Sequence, residues 1–265
     1  MKTTIIGGGN MGSAIVRGLV QGSIFKPSDL TVIDILEAPL KALQDFNPAV
    51  RIALNEYDSV ENADIILLAV KPWLIKNTIL NIKSKLKYSK QIIVSIAAGI
   101  SIRELNEMLF KPDDETTLPV LFRVIPNTAI SIRQSVNLIA TENASSEQEC
   151  LILKIFNELG YAFLLEESKI SAGTALTSCG IAYLFRYVRA AMLAGVNMGF
   201  YPKEAQNLVV KTMLGAAALL DETKENPEVE IDKVTTPGGI TIKGLNELEA
   251  NGFSDAIIKA MKISK

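Results

Sequence analysis

The stretch Thr3-Thr4-Ile5-Ile6-Gly7-Gly8-Gly9-Asn10-Met11-Gly12-Ser13-Ala14-Ile15-Val16 decides the architecture. A short β-branched run enters glycines at G-x-G-x-x-G spacing, and a helical pattern over Ser13–Val20 follows at once. That order is the strand–turn–helix cradle of a dinucleotide-binding sheet. Gly7 permits the tight turn, Gly9 removes the Cβ that would block a pyrophosphate, and Gly12 lets helix and strand pack closely. Around Asn10, Met11 and Gly12 the helix start offers unpaired N–H groups and a positive dipole end to the anion. The plainer reading, a glycine-rich turn plus a helix-capping aspartate, accounts for fewer of these matches.

A second run, Leu30–Asp34, ends on a carboxylate about 20 residues beyond Gly12, the spacing at which an acidic side chain meets the adenine ribose hydroxyls. A 2′-phosphate there would face Asp34, and Ile35, Leu36 and Glu37 supply no cation before Lys41. NADH is therefore favoured over NADPH as the cofactor. Further out, Ile65–Val70, Ile92–Ile96, Leu121–Val124 and Asn137–Ala140 read as strands separated by crossover segments, which predicts an α/β, Rossmann-type doubly wound sheet. After Glu167 the pattern changes. Ala175–Met198 and Pro202–Asp221 read as long helices, Pro202 sitting in a first turn where its missing N–H costs nothing, and Glu222–Glu230 reads as a polar, proline-containing stretch. The predicted boundary near Leu165–Ser168 divides a dinucleotide-binding domain, 1–166, from a helical substrate-binding and dimerisation domain, 167–265.

Composition removes several chemistries. Among 265 residues there is no histidine, which excludes a serine–histidine hydrolase and a histidine-ligated metal. Two cysteines, Cys150 and Cys179, cannot form a thiolate metal cage, and no metal site is expected. Basic and acidic residues number 27 and 29 without long blocks of one sign, which argues against a nucleic-acid or anionic-membrane surface. The start lacks a signal-peptide core, and the most hydrophobic region, Ile181–Leu193, carries Arg186 and Arg189. A cytoplasmic protein is expected.

Near the other end, Val234-Thr235-Thr236-Pro237-Gly238-Gly239-Ile240-Thr241-Ile242-Lys243-Gly244-Leu245-Asn246-Glu247-Leu248-Glu249 resembles the signature of the pyrroline-5-carboxylate reductase family. The opening Ile6–Gly12, Ala69-Val70-Lys71-Pro72, Ser95–Ile100 and Arg123-Val124-Ile125-Pro126-Asn127-Thr128 are similar to further family segments in the same order. The resemblance implies hydride transfer from NAD(P)H to a cyclic imine, giving L-proline, with a helical domain that builds a dimer and the substrate pocket. It makes Thr241 the pocket threonine that positions the ring nitrogen, with Thr236, Gly238, Gly239 and Ile240 around the substrate carboxylate. It places Asn55 at the adenosine end, Val70, Lys71, Pro72 and Ala97 on the cofactor side, and Asn127 and Thr128 by the nicotinamide. The chain departs from the family at Ile181, Ala129 and Ile240, positions that bear on pocket shape and ring-size preference.

Read without the resemblance, Pro237-Gly238-Gly239 is either a nest of N–H groups for a carboxylate or a turn in which threonine caps a helix. Lys71 is either a cofactor contact at a strand end or a solvated lysine, and Tyr183 and Phe185 read as core or dimer packing. A β-hydroxyacid dehydrogenase would need an asparagine and a catalytic lysine within Ser171–Val196, and neither is present. Two other readings stay open: a reductase of a related cyclic imine carboxylate, and a non-catalytic dinucleotide sensor. The apolar stretches Ala190–Ala194 and Leu208–Leu220 predict a homodimer, unless they form one intrachain core.

Overall fold

β-branched and leucine-rich segments form eight strands: β1 (Thr3–Ile6), β2 (Leu30–Asp34), β3 (Arg51–Leu54), β4 (Ile65–Leu68), β5 (Ile92–Ser95), β6 (Val120–Ile125), β7 (Ser135–Glu142) and β8 (Gly160–Leu164). They make one sheet in the order β3-β2-β1-β4-β5-β6-β7-β8. Every pairing is parallel except β6 with β7. The computed structural model describes residues 1–112 and 118–265 and divides into two compact units, Met1–Ser178 and Cys179–Lys265.

In the first unit, the intervening helices are α1 (Asn10–Val20), α2 (Glu37–Phe46), α3 (Ile75–Ile82), α4 (Ile102–Leu109), α5 (Ser146–Asn157) and α6 (Ile170–Thr174). Apolar residues at helical spacing cover both faces of most of the sheet, as in other doubly wound sheets. Ile15, Val16 and Leu19 of α1, Leu40 and Leu43 of α2, and Ile152, Ile155 and Phe156 of α5 cover one face. Ile75, Ile79 and Ile82 of α3 and Leu105 and Leu109 of α4 cover the other.

β3 and β8 were not anticipated from the sequence. Both are edge strands, short and half exposed, so their apolar signal is weak. β4 and β5 stop before Val70 and Ile96, whereas β6 and β7 run longer than expected, because their antiparallel ladder extends from Leu121–Glu142 to Ile125–Leu138.

The second unit is helical: α7 (Gly180–Asn197), α8 (Pro202–Thr223), α9 (Pro227–Lys233), α10 (Ile240–Ala250) and α11 (Phe253–Ile263). The stretch expected to be merely polar contains the start of α9, with Asn226 capping the N–H of Glu228 and Pro227 in the first turn. α7 and α8 pass closely, since a Cβ on Gly195 would lie 2.9 Å from that of Ala205. Tyr183 of α7 hydrogen-bonds Ser264 beyond α11. Among the described residues of this unit only Gly180, Gly195 and Ala205 are buried. The apolar stretches therefore do not close into one intrachain core. Leu193, Leu208, Leu214 and Leu219 are all more than half exposed, at 54–58%. By length and composition alone the helical run Glu167–Asn197 could cross a membrane, its 18-residue window having a mean hydropathy of 1.2.

Candidate active site

Parallel pairing puts the carboxyl ends of β3, β2, β1, β4, β5 and β6 along one edge of the sheet, and the strand order reverses between β1 and β4. Gly7–Gly12 follow β1, Asp34 ends β2, Asn55 follows β3, Val70–Pro72 follow β4, Ala97 follows β5 and Asn127 follows β6. All the residues nominated for the cofactor thus fall on this edge, where doubly wound sheets bind ligands.

The glycines divide their work. At Gly7, φ is +110° and a Cβ would lie 2.6 Å from the Ala69 carbonyl oxygen, so only glycine makes this turn. A Cβ on Gly12 would lie 1.9 Å from the Gly7 carbonyl oxygen. Gly9 differs: a Cβ there meets no protein atom within 4 Å. Its missing side chain leaves open space at the start of α1, where Gly9 is the N-cap and no side chain caps the helix. The free first-turn N–H groups and the space before them suit a pyrophosphate, so the residues present fit a dinucleotide.

Asp34 is already engaged within the protein. One carboxylate oxygen accepts the Gly8 N–H at 2.6 Å and the other the Leu36 N–H at 2.9 Å, while the Asp34 carbonyl accepts the Asn55 N–H at 2.9 Å. A carboxylate has about four lone-pair sites, so capacity for ribose hydroxyls remains. Asn55 itself is exposed, with φ +54°, a left-handed conformation asparagine tolerates. Lys71 is exposed and precedes a turn holding Trp73, the single tryptophan, which is 75% exposed. Ala97 is buried, and its N–H donates to the Ser95 hydroxyl. Asn127 is buried too: its side-chain oxygen accepts the Ala129 N–H at 3.0 Å, and its amide donates to the Thr177 carbonyl at 3.4 Å. Its side chain holds this turn to the π-helical segment Ala175–Cys179, while Thr128 is exposed.

In the second unit Thr236, Gly238, Gly239, Ile240 and Thr241 come together at the start of α10. Gly238 has φ +71°, and Gly239 is the N-cap, with no side-chain cap. The threonine cap allowed by the local sequence is absent. A Cβ on Gly239 would lie 2.6 Å from the Thr236 hydroxyl oxygen, so glycine here makes room for Thr236. One expectation needs correction. The Gly239 N–H is not free for an anion, because the turn directs it to the Thr236 carbonyl at 2.9 Å. The first-turn groups of Ile240 and Thr241 are what this start presents, on residues that are both exposed.

Residues 167–265 match the family model for pyrroline-5-carboxylate reductase dimerisation, and residues 2–99 match that for NADP oxidoreductase, coenzyme F420-dependent. A pyrroline-5-carboxylate reductase of Methanosarcina acetivorans is 34% identical over all of this chain and 97% of its own length. The chain belongs to the pyrroline-5-carboxylate reductase family. Another member, pyrroline-5-carboxylate reductase 1 of Dictyostelium discoideum, is 34% identical over 98% of the chain, and here the chain spans about half of the relative's length, 48%. Among solved structures, the Plasmodium falciparum pyrroline carboxylate reductase with NADP bound superposes with a TM-score of 0.85 at 26% identity, covering all of this chain and 95% of that one. The segments similar to the family thus include two helix starts, α1 and α10, at each of which a glycine is the N-cap and no side chain caps the helix.

Proposed function

We propose that this member of the family reduces 1-pyrroline-5-carboxylate to L-proline, acting as a cytoplasmic homodimer that uses NADH in preference to NADPH. The observation that carries this reading is the start of α10: a Pro-Gly-Gly turn, no side-chain cap, and a threonine in the first turn, inside the segment most similar to the family signature. The N–H groups of Ile240 and Thr241 hold the substrate carboxylate, with Thr236 and Gly238 shaping the turn. The Thr241 hydroxyl hydrogen-bonds the ring nitrogen and fixes the ring's orientation. Its hydroxyl is too weak an acid for general acid catalysis, and the ring nitrogen binds already protonated, so a chain without histidine suffices. A reduced nicotinamide supplies the hydride. Gly7, Gly9, Asn10, Met11 and Gly12 seat its pyrophosphate, Asp34 and Asn55 the adenosine, and Val70, Lys71, Pro72, Ala97 and Asn127 the remaining length.

Asp34 supports the NADH preference, because a 2′-phosphate would meet its carboxylate. The exposed apolar residues of the second unit support the homodimer, since contiguous patches of that kind mark association surfaces. Free Cys150 and Cys179 suit a reducing compartment.

The test is loss of nicotinamide absorbance with purified protein, 1-pyrroline-5-carboxylate and each reduced cofactor, with L-proline measured as product. Turnover faster with NADH is expected. Absence of turnover with either cofactor, alongside cofactor binding, would replace the enzyme by a sensor. Thr241→Ala should lower kcat about tenfold or more, the scale of a hydrogen bond to a charged group.

A further inference from the structure

The first unit carries an aromatic pair that its own chain leaves uncovered. On β8, Tyr161 and Phe163 are 61% and 47% exposed, and their rings stack with centroids 6.2 Å apart and planes 24° apart. Ala162 between them points into the opposite core. In the parallel register Tyr161 lies beside Val136 and Phe163 beside Leu138, which puts both rings on the face sealed elsewhere by α3 and α4. On that face α6 covers β7: Ile170 shares a core cluster with Leu138, and a Cβ on Gly173 would lie 2.6 Å from a Leu138 methyl. Cover stops one strand short of the sheet edge. Large exposed aromatic area beside an edge strand is a recognised association surface.

We propose that a second copy of this chain covers Tyr161 and Phe163, so that the subunit interface extends beyond the helical unit onto the edge of the sheet. Continuity argues for this occupant. α6 lies within residues 167–265, the segment matching the family's dimerisation model, and it already packs on the adjacent strand of the same face. An added β-strand is a poorer occupant, because the outward N–H of Ala162 is taken by the Asn157 side chain at 2.9 Å. The inference rests on the homodimer proposed above, and its test separates the two.

Sedimentation of the full chain across a dilution series gives the wild-type dimer constant. The double variant Tyr161→Glu with Phe163→Glu is compared with Leu80→Glu, which alters an equally exposed leucine (62%) on α3. The double variant should weaken the dimer about 30-fold or more, as expected for interface aromatics, with NADH binding retained, while Leu80→Glu leaves the dimer intact. Equal weakening by both variants, or none by the double variant, overturns the proposal and leaves the homodimer standing. A monomeric wild type overturns both. Should the double variant misfold, a benzophenone amino acid at position 161 of the otherwise wild-type chain replaces it. Photo-cross-linking to dimer mass is expected, and cross-linking only within one chain is the contrary result.

Discussion

The two units solve burial differently. The first covers both faces of most of an eight-stranded sheet, and large side chains such as Phe122, Phe156 and Ile66 are fully buried. The second has regular helices, yet Ala205 is its one buried hydrophobic among the described residues, and leucines along α7 and α8 remain exposed. Secondary structure is thus no guide to independent stability. Helices gain most of their stability from a packed face, and this unit lacks the face's cover within one chain. The glycine cradle thus sits on a unit with a core of its own, whereas the start of α10 sits on a unit without one in a single chain.

The largest effects should come from the glycines of the first unit, and they should diverge. Gly9→Val is expected to abolish cofactor binding and turnover while unfolding within about 1 kcal/mol of wild type, the range of N-cap changes. Gly12→Ala should destabilise the unit by about 3 kcal/mol, because its Cβ collides with the Gly7 carbonyl. Calorimetry with cofactor titration checks both, and equal behaviour would erase the distinction between ligand space and packing space.

Dilution probes the other unit. Its unfolding temperature should fall more steeply as protein concentration drops than that of the first unit, whose core closes within one chain. Circular dichroism follows the helices of both units and the fluorescence of Trp73 follows the first alone, so comparing them isolates the transition of the second. A concentration-independent helical transition would mean that the helices stand alone.

Asp34→Asn sharpens the cofactor reading at smaller cost. Its one carbonyl oxygen cannot serve both the Gly8 and Leu36 N–H groups as the carboxylate does. The NADH-to-NADPH ratio of kcat/KM should fall about tenfold, with some loss on both cofactors from the loosened glycine turn. An unchanged ratio would remove Asp34 as the selector.

Smallest is a helix cap made by residues outside the nominated site. Ser101 and Glu104 form a reciprocal box at α4, and the hydrogen bonds from Ser101 hold the Glu104 carboxyl below its ordinary range. Ser101→Ala should cost about 1 kcal/mol with kcat unchanged. Because the folded-state pKa is lowered, the box contributes above the ordinary carboxylate range and is lost as pH falls through the lowered value. Urea unfolding at several pH values should show that acid loss in wild type and less of it in Glu104→Gln.

Much of this was legible in the sequence, for reasons the structure makes plain. β1 and β2 match their expected spans because each is flanked by strands on both sides and ends where the sequence changes character, at Gly7 and at Asp34. β3 and β8 escaped because edge strands bury one face at most. The glycine spacing disclosed the cradle and assigned separate tasks to Gly9 and Gly12, but not the atom that crowds Gly12, the Gly7 carbonyl oxygen folding back over the helix start. Neither the bond from Gly8 to Asp34 nor the capture of the Gly239 N–H by Thr236 has a local signature, since each depends on how a turn closes. The two glycine-led helix starts were visible; which of their N–H groups the turns leave free was not.

The central claim is that two glycine-led helix starts, one in each unit, hold the two anions of the reaction. A crystal structure with NADH and L-proline tests it most directly. The expected result is pyrophosphate at the start of α1 and the proline carboxylate within hydrogen-bond distance of the Ile240 and Thr241 N–H groups. Proline bound with its carboxylate away from the start of α10, with the nucleotide still in its cradle, would contradict it.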